Sequence, residues 1–275
     1  MLPSDIQWYF PATTREAVKL IKKKGIILHA GGTKILEPQP RSSVKGLVDV
    51  AGLGLNYITT KGKTVHIGSG ATFAEVAAFS LKRKKITALG TSLSHAASTP
   101  LRNRITIGGS INDFPMWSNL YSPLLALDAR VVIAGEESGV YSLEEYAGSP
   151  LMKSNHLILE IRVREDKEVI CRAASFHVLR FEYPLFCIAA AITMKRERVR
   201  GARIFITGVK RKFARLASAE QFLEGKSLTE QTIDGAVMRA SMTFAPDFKF
   251  SSGYKERVAR VYLRDLLQEM RGSQK

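Results

Sequence analysis

Two short glycine loops constrain this chain more than any other feature: Ala30-Gly31-Gly32-Thr33 and Thr106-Ile107-Gly108-Gly109-Ser110. Each follows a hydrophobic or β-branched stretch and sets adjacent glycines directly before a small hydroxyl residue. With no Cβ in the way, backbone N–H groups at such a pair can close on a phosphate, and the hydroxyl adds a side-chain donor. Taken singly, a Gly-Gly-Thr is more often a tight turn than a phosphate site. Two of them, about 75 residues apart, can grip the two phosphates of one dinucleotide, provided the fold brings them together.

At 275 residues the chain is long enough for one large domain or two modest ones with real cores. Its start, MLPSDIQWYF, shows no basic segment leading into an apolar one. The longest apolar run, Leu185 to Ile192, is too short to cross a bilayer. A cytoplasmic location is therefore expected. Cys171 and Cys187 are the only cysteines, too few for the four thiolates of an ordinary iron–sulfur cluster. His156 and His177 flank Cys171 but are too scattered to form a ligand motif, so no metal site is expected and both thiols read as reduced core or strand residues. The net charge of +16 raises the question of nucleic acid. Its basic runs, Lys22–Lys24, Lys82–Lys85, Lys195–Arg200 and Lys210–Lys212, fall at apparent helix ends and turns without interleaved aromatics. They read as solvated faces or as docking surfaces for an acidic partner, not as a nucleic-acid surface.

Thr13-x-x-Glu16 has the form of a capping box, and the helix it opens closes on three lysines and Gly25. Ile26–His29 then reads as a buried strand running straight into the first glycine loop, with Gly46–Val50 as a second strand. These elements make a small unit of residues 1–55. In 56–165, Thr64–Gly68 reads as a strand, Thr72-x-x-Glu75 opens a helix to about Arg83, and 86–110 reads as mostly irregular. Leu124–Ala134 reads as a helix passing into a strand, and Leu157–Val163 as a closing strand. The charged turn Arg164–Glu168 separates an expected first domain, 1–165, from a second, 166–275. There, strands are expected near 169–178, 185–194 and 200–208, with Lys195–Gly201 as a hairpin turn, and helices near 217–224, 228–243 and 253–270. Strands first and helices after is an α+β pattern.

Other motifs fail. Gly62-Lys63-Thr64 echoes a P-loop ending, but Tyr57 stands where that pattern needs glycine, and Tyr57 also fills the third-glycine place after Gly52-x-Gly54. No nucleophile elbow, metal helix or paired carboxylate site is legible, so no catalytic residue is expected.

The segments Leu28–Leu36 and Leu101–Ile111 resemble the two phosphate loops of the FAD-binding (medium) subunit of molybdenum hydroxylases, the family of xanthine dehydrogenase and aerobic carbon monoxide dehydrogenase. Between the loops, Leu47–Val50, Leu55–Ile58 and His66–Thr72 follow that family's order, as do Leu124–Ala129 and Ser251–Arg260 after them. The resemblance implies an α+β fold: a two-subdomain FAD-binding domain of the vanillyl-alcohol-oxidase type, then a smaller C-terminal domain with an antiparallel sheet and helices. It implies that Ala30, Gly31, Gly32, Thr33, Lys34, Ile35 and Leu36 wrap the FAD pyrophosphate and ribityl chain from one side, and Thr106, Ile107, Gly108, Gly109 and Ser110 from the other. Asn119 stands where many relatives have an aspartate contacting the cofactor, Leu159 matches an apolar residue near the flavin ring, and His177 falls near a lysine that contacts the cofactor in some relatives. Phe114-Pro-Met-Trp117 departs from the small polar residues common there, and Trp117 and Tyr121 serve either core packing or as a flavin cover. His29 precedes the loop on a strand and reads as structural.

The implied role is an oxidoreductase subunit, inactive on organic substrate alone. It would pass electrons from 2Fe–2S clusters in a small partner subunit to an external acceptor, while a large molybdenum-cofactor subunit hydroxylates the substrate. A heterotrimer, or a heterohexamer made of two, is the implied assembly. Two other readings stand beside it: a self-contained flavoprotein oxidase or reductase of the same superfamily, and a cofactor-free basic nucleic-acid-binding or scaffold protein.

Overall fold

The computed structural model describes residues 6–35, 44–153, 155–179 and 182–272. The chain begins with β1 (Gln7–Tyr9), α1 (Thr14–Ile21), β2 (Ile26–His29) and β3 (Gly46–Asp49). Thr13 Oγ1 accepts from the Glu16 N–H, as the capping signature predicts, while the Glu16 carboxylate takes the Ala12 N–H. The strands form a parallel sheet with β3 at its centre. Strand alternation turns Ile26 and Leu28 toward the core that Ala17 and Ile21 of α1 build with Val48 and Val50. Ile27 and His29 fall on the other face.

The next elements are β4 (Ile58–Lys61), β5 (Thr64–Gly68), α2 (Phe73–Leu81), α3 (Thr87–Ser94), α4 (Thr99–Arg102), α5 (Ile107–Asp113) and α6 (Tyr121–Ala126). They lead to β6 (Arg130–Gly135), β7 (Gly139–Ser142), α7 (Leu143–Gly148) and β8 (His156–Arg164), and the strands join in a five-stranded sheet of order β4-β5-β8-β6-β7. The Thr72–Glu75 capping box that opens α2 is present in both directions.

The stretch 86–110, expected to be irregular, instead carries three short helices. Its Thr, Ser and Gly content gives weak helix propensity, but burial of Ala88, Leu89 and Leu93 stabilises α3 regardless. Gly90 permits that packing, since a Cβ there would come within 2.7 Å of the Leu81 nitrogen.

Four further strands, β9 (Val169–Phe176), β10 (Phe186–Lys195), β11 (Arg198–Thr207) and β12 (Phe213–Arg215), form an antiparallel sheet in the order β12-β11-β10-β9. The β10–β11 turn is tighter than expected. Only Arg196 and Glu197 lie between the paired Lys195 and Arg198, and both have positive φ (49° and 60°), the two-residue geometry whose twist suits a hairpin. Phe186, Ile188, Ala190 and Ile192 alternate into a core shared with α8 (Ala217–Leu223), α9 (Glu230–Arg239) and α10 (Ser252–Gly272), which supplies Ala259, Leu263, Leu266 and Leu267.

The chain divides into two compact units that interleave in sequence. One comprises 1–76, 98–113 and 129–163; the other comprises 77–97, 114–128 and 164–275. Segments 77–97 and 114–128, which the sequence reading puts ahead of its boundary, thus group with the C-terminal residues.

Candidate dinucleotide-binding site

The first glycine loop leaves the carboxyl end of β2. Gly31 rests on main chain from the second loop region: a Cβ there would lie 1.6 Å from the Arg104 carbonyl oxygen. Arg104 also donates from Nε to the Gly31 oxygen (3.2 Å). Gly32 has φ of 75°, a conformation open to glycine at little cost. Among the described residues, the N–H groups of Gly31, Gly32 and Thr33 donate to no protein acceptor. Three successive free donors on a turning backbone form an anion cradle. Lys34 closes the loop with an ion pair to Asp113 at the end of α5 (3.4 Å).

The second loop is built differently. Thr106 bridges to Thr72, and Gly108 packs on Ser69, where a Cβ would meet the serine Cβ at 2.6 Å. Its N–H groups are already committed. Ile107 donates to the Ala71 oxygen, Gly108 to the Ser69 oxygen, Gly109 to Thr106 Oγ1 and Ser110 to the Thr106 oxygen. What remains for a ligand is the Thr106 and Ser110 hydroxyls and the exposed, side-chain-free surface of Gly109. The glycine pairs alone predict an N–H cradle in both loops; among the described residues only the first has donors to spare. The Ser69 shelf under the second loop is in turn held by the Leu159 carbonyl, which accepts the Ser69 N–H (2.9 Å). The half-buried Leu159 side chain packs against the core of the β1–β3 unit.

Ala30, Gly31, Gly32, Thr33, Lys34 and Ile35 are therefore brought together with Thr106, Ile107, Gly108, Gly109, Ser110 and Leu159 in one compact unit. Leu36 lies outside the described residues. Arg104, which ties the loops together, was not singled out from sequence, although the quoted Leu101–Ile111 segment contains it.

Asn119 and His177 lie in the other unit. Asn119 is buried, and its side-chain amide donates to the Ser92 oxygen (3.1 Å) and to Ser175 Oγ (3.4 Å). The aspartate of the resemblance could make neither donation. His177 Nδ1 donates to the Glu182 carbonyl (2.9 Å), which leaves Nε2 to accept from the Ser175 hydroxyl (2.9 Å). Asn119, Ser175 and His177 thus form one directed chain of hydrogen bonds. Tyr121 is wholly buried against Phe114, whereas Trp117 is partly exposed beside Tyr183.

A charged group that the sequence reading missed lies within the five-stranded sheet. Glu160 is buried on β8 and accepts from Tyr57 Oη (2.7 Å), Arg162 Nε (2.6 Å) and His66 Nδ1 (3.2 Å). Burial pulls its carboxyl upward, yet these hydrogen bonds outweigh it and hold the group below the usual carboxylate range. Burial and the Glu160 bond push the Tyr57 phenol up to about 12. Among the described residues no cluster of side chains could hold a metal ion, and no helix is long and apolar enough to cross a membrane.

Comparison with known proteins covers almost the whole chain. Residues 4–164 match the family described as the FAD binding domain in molybdopterin dehydrogenase, and residues 180–270 match the CO dehydrogenase flavoprotein C-terminal domain. The protein YgfM of Escherichia coli K12 is 28% identical over 263 residues, 94% of each chain. The glyceraldehyde dehydrogenase medium chain of Sulfolobus acidocaldarius is 23% identical, with 98% of this chain and 100% of that one covered. Among solved structures, a carbon monoxide dehydrogenase chain of Hydrogenophaga pseudoflava superposes with a TM-score of 0.88 at 22% identity over 98% of both chains, which shows a common fold.

Proposed function

Since this chain belongs to the family of FAD-binding domains in molybdopterin dehydrogenases, we propose that it is the electron-transfer subunit of a larger molybdenum-dependent dehydrogenase. In this reading it receives electrons from 2Fe–2S clusters in a small partner subunit and hands them to an external acceptor. A large molybdenum subunit carries out the substrate chemistry. When bound, FAD supplies the ability to take electrons singly and release them as a pair. The tasks of this chain are to bind, orient and shield that group, which accords with the lack of a legible acid–base pair or nucleophile.

The observation that carries the reading is the first glycine loop. Gly31, Gly32 and Thr33 present three N–H donors with no acceptor among the described residues, at a point where a Cβ on Gly31 would collide with main chain. That cradle fits a diphosphate. Thr106 and Ser110 would add hydroxyl donors from the second loop, and Ala30, Lys34, Ile35, Ile107, Gly108 and Gly109 would shape the walls. Leu159 would stand near the flavin ring. Asn119 and His177, which the resemblance also implicates, share Ser175 as a hydrogen-bond partner within the other unit. A modular division near residue 165 accompanies this reading, supported by the matched spans 4–164 and 180–270. So does a cytoplasmic assembly with the two partner subunits.

The test is direct. The purified full chain should show an oxidised-flavin absorbance spectrum and release FAD in equimolar amount on denaturation, yet oxidise no organic substrate by itself. A chain that neither carries nor takes up FAD, or that turns over substrate alone, would refute the proposal.

A further inference from the structure

We propose that Arg104 is a cofactor-binding residue, the side-chain cation that meets the diphosphate at the first glycine loop; this rests on the flavin reading above. Its backbone is fixed by the turn that closes α4, where the Arg104 and Ile105 N–H groups both donate to the Leu101 oxygen. That turn lays the Arg104 carbonyl against Gly31, 1.6 Å from the position a Cβ would take. The side chain then returns along the same loop. Nε donates to the Gly31 oxygen (3.2 Å), and Nη2 lies 3.7 Å from the Cβ position of Gly32, which His29 Nε2 borders at 3.1 Å. The chain itself thus holds the guanidinium beside the residues whose N–H groups are free.

Tying the loops together does not account for this side chain. The bond to Gly31 uses one of a guanidinium's five N–H donors, and among the described residues the others have no acceptor. No carboxylate among those residues pairs with Arg104 either. Asp49 accepts the Ala51 N–H and faces His29, and Asp113 pairs with Lys34. A forked cation and three main-chain donors therefore gather with no counter-charge among the described residues. The group that satisfies them is an anion with several oxygens, and the flat fork of a guanidinium matches two oxygens of a phosphate at once. A lysine ammonium would bring the charge without the fork. Because the interaction is between exposed charges, it should carry the salt dependence of cofactor binding.

The experiment measures FAD affinity of the full apo chain by quenching of flavin fluorescence, at about 0.05 M and about 0.5 M salt. Wild-type affinity should fall as salt rises. Arg104→Gln should bind FAD roughly 10- to 100-fold more weakly at low salt and lose most of that salt dependence. Arg104→Lys should recover part of the affinity together with the salt dependence. A residue that merely ties the loops would give a different pattern: both variants weakened alike, each with the wild-type salt dependence. The side chain is exposed, so the melting temperature of the apo chain should change little in either variant. A measurement on the wild type stands independently of how the variants fold. There FAD should protect Arg104 from an arginine-selective dicarbonyl reagent, with labelling read residue by residue by mass spectrometry. Wild-type affinity and salt dependence in Arg104→Gln, or labelling of Arg104 as fast with FAD as without, overturns the inference while leaving the flavin reading intact. A wild-type chain that binds no FAD overturns both.

Discussion

Replacing Gly31 with alanine adds one methyl group, and the structure shows what it would meet. The new Cβ would lie 1.6 Å from the Arg104 oxygen and 2.7 Å from its carbonyl carbon, so the obstacle is main chain and not a side chain that could swing away. To reach an ordinary contact of about 3.5 Å, the Arg104 peptide must retreat by about 2 Å. It is held in place by the Arg104 and Ile105 N–H groups, both bonded to the Leu101 oxygen (2.9 and 2.8 Å), and by the Phe73 N–H on the Ile105 oxygen (2.9 Å). Losing these three bonds at about 1 kcal/mol each gives a destabilisation of about 3 kcal/mol. For a chain of this size that lowers Tm by about 6–12 °C. The alternative, lifting the first loop, spares stability but disperses the three free donors. Either way Gly31→Ala should lose its flavin on purification. Gly109→Ala would press on the Thr106 hydroxyl, at 2.9 Å, and not on main chain, so it should lower Tm less than Gly31→Ala while binding FAD more weakly. Gly52→Ala has nothing within 4 Å and should match the wild type in both respects. Thermal melts with and without FAD, together with flavin content, check the series. A Gly31→Ala protein with wild-type Tm and flavin content would refute the reasoning.

Glu160 is held below its ordinary pKa, so the stability it contributes is complete above the unfolded value of about 4.3 and drains away as pH falls through the folded value. Glu160→Gln should therefore flatten the acid limb of a urea-unfolding series run from about pH 6 to about pH 3, where the wild type falls steeply. Asn119→Asp would set a carboxylate against the Ser92 carbonyl and remove both amide donations, costing about 2–4 kcal/mol in chemical denaturation. A wild-type denaturation midpoint in that variant would show that the amide is not structural. Burial pushes the thiols of Cys171 and Cys187 up to about 12 and about 11, so neither should react with a thiol reagent at about pH 8 until denaturant is added. Rapid labelling of the native chain would contradict their placement.

What could be read from the sequence followed how local each signal was. The start of α1 and the run of β2 into its loop depend on residues within a few positions of one another, Thr13 with Glu16 and Ile26 with Gly31, and the structure reproduces them. Helix α3 is a nonlocal case. Its Thr, Ser and Gly residues argue against helix, and only packing against other parts of the chain, Gly90 on Leu81 among them, stabilises it. The difference between the loops was hidden for the same reason. Nothing near Gly108 shows that the carbonyls of Ser69 and Ala71 will take the N–H groups there. Glu160 looked like one polar position in an alternating strand, because Tyr57 and His66 stand 103 and 94 residues away from it. Its role appears only once β5 and β8 are neighbours.

The interleaving of the two units bears on how this chain is born. Ala88, Leu89, Leu93, Tyr121, Leu124 and Leu125 are buried within a unit whose sheet is not encoded until residues 169–215. On a ribosome adding about 5–20 residues per second, these apolar helices wait roughly 4 to 16 seconds between the synthesis of Leu125 and that of Thr207. During that interval they have no sheet to cover, and a nascent chain in that condition is a natural client for chaperones. A gene cut after residue 164 would make the wait permanent. The amino-terminal fragment would carry both glycine loops and, with them, two sticky helices that belong elsewhere.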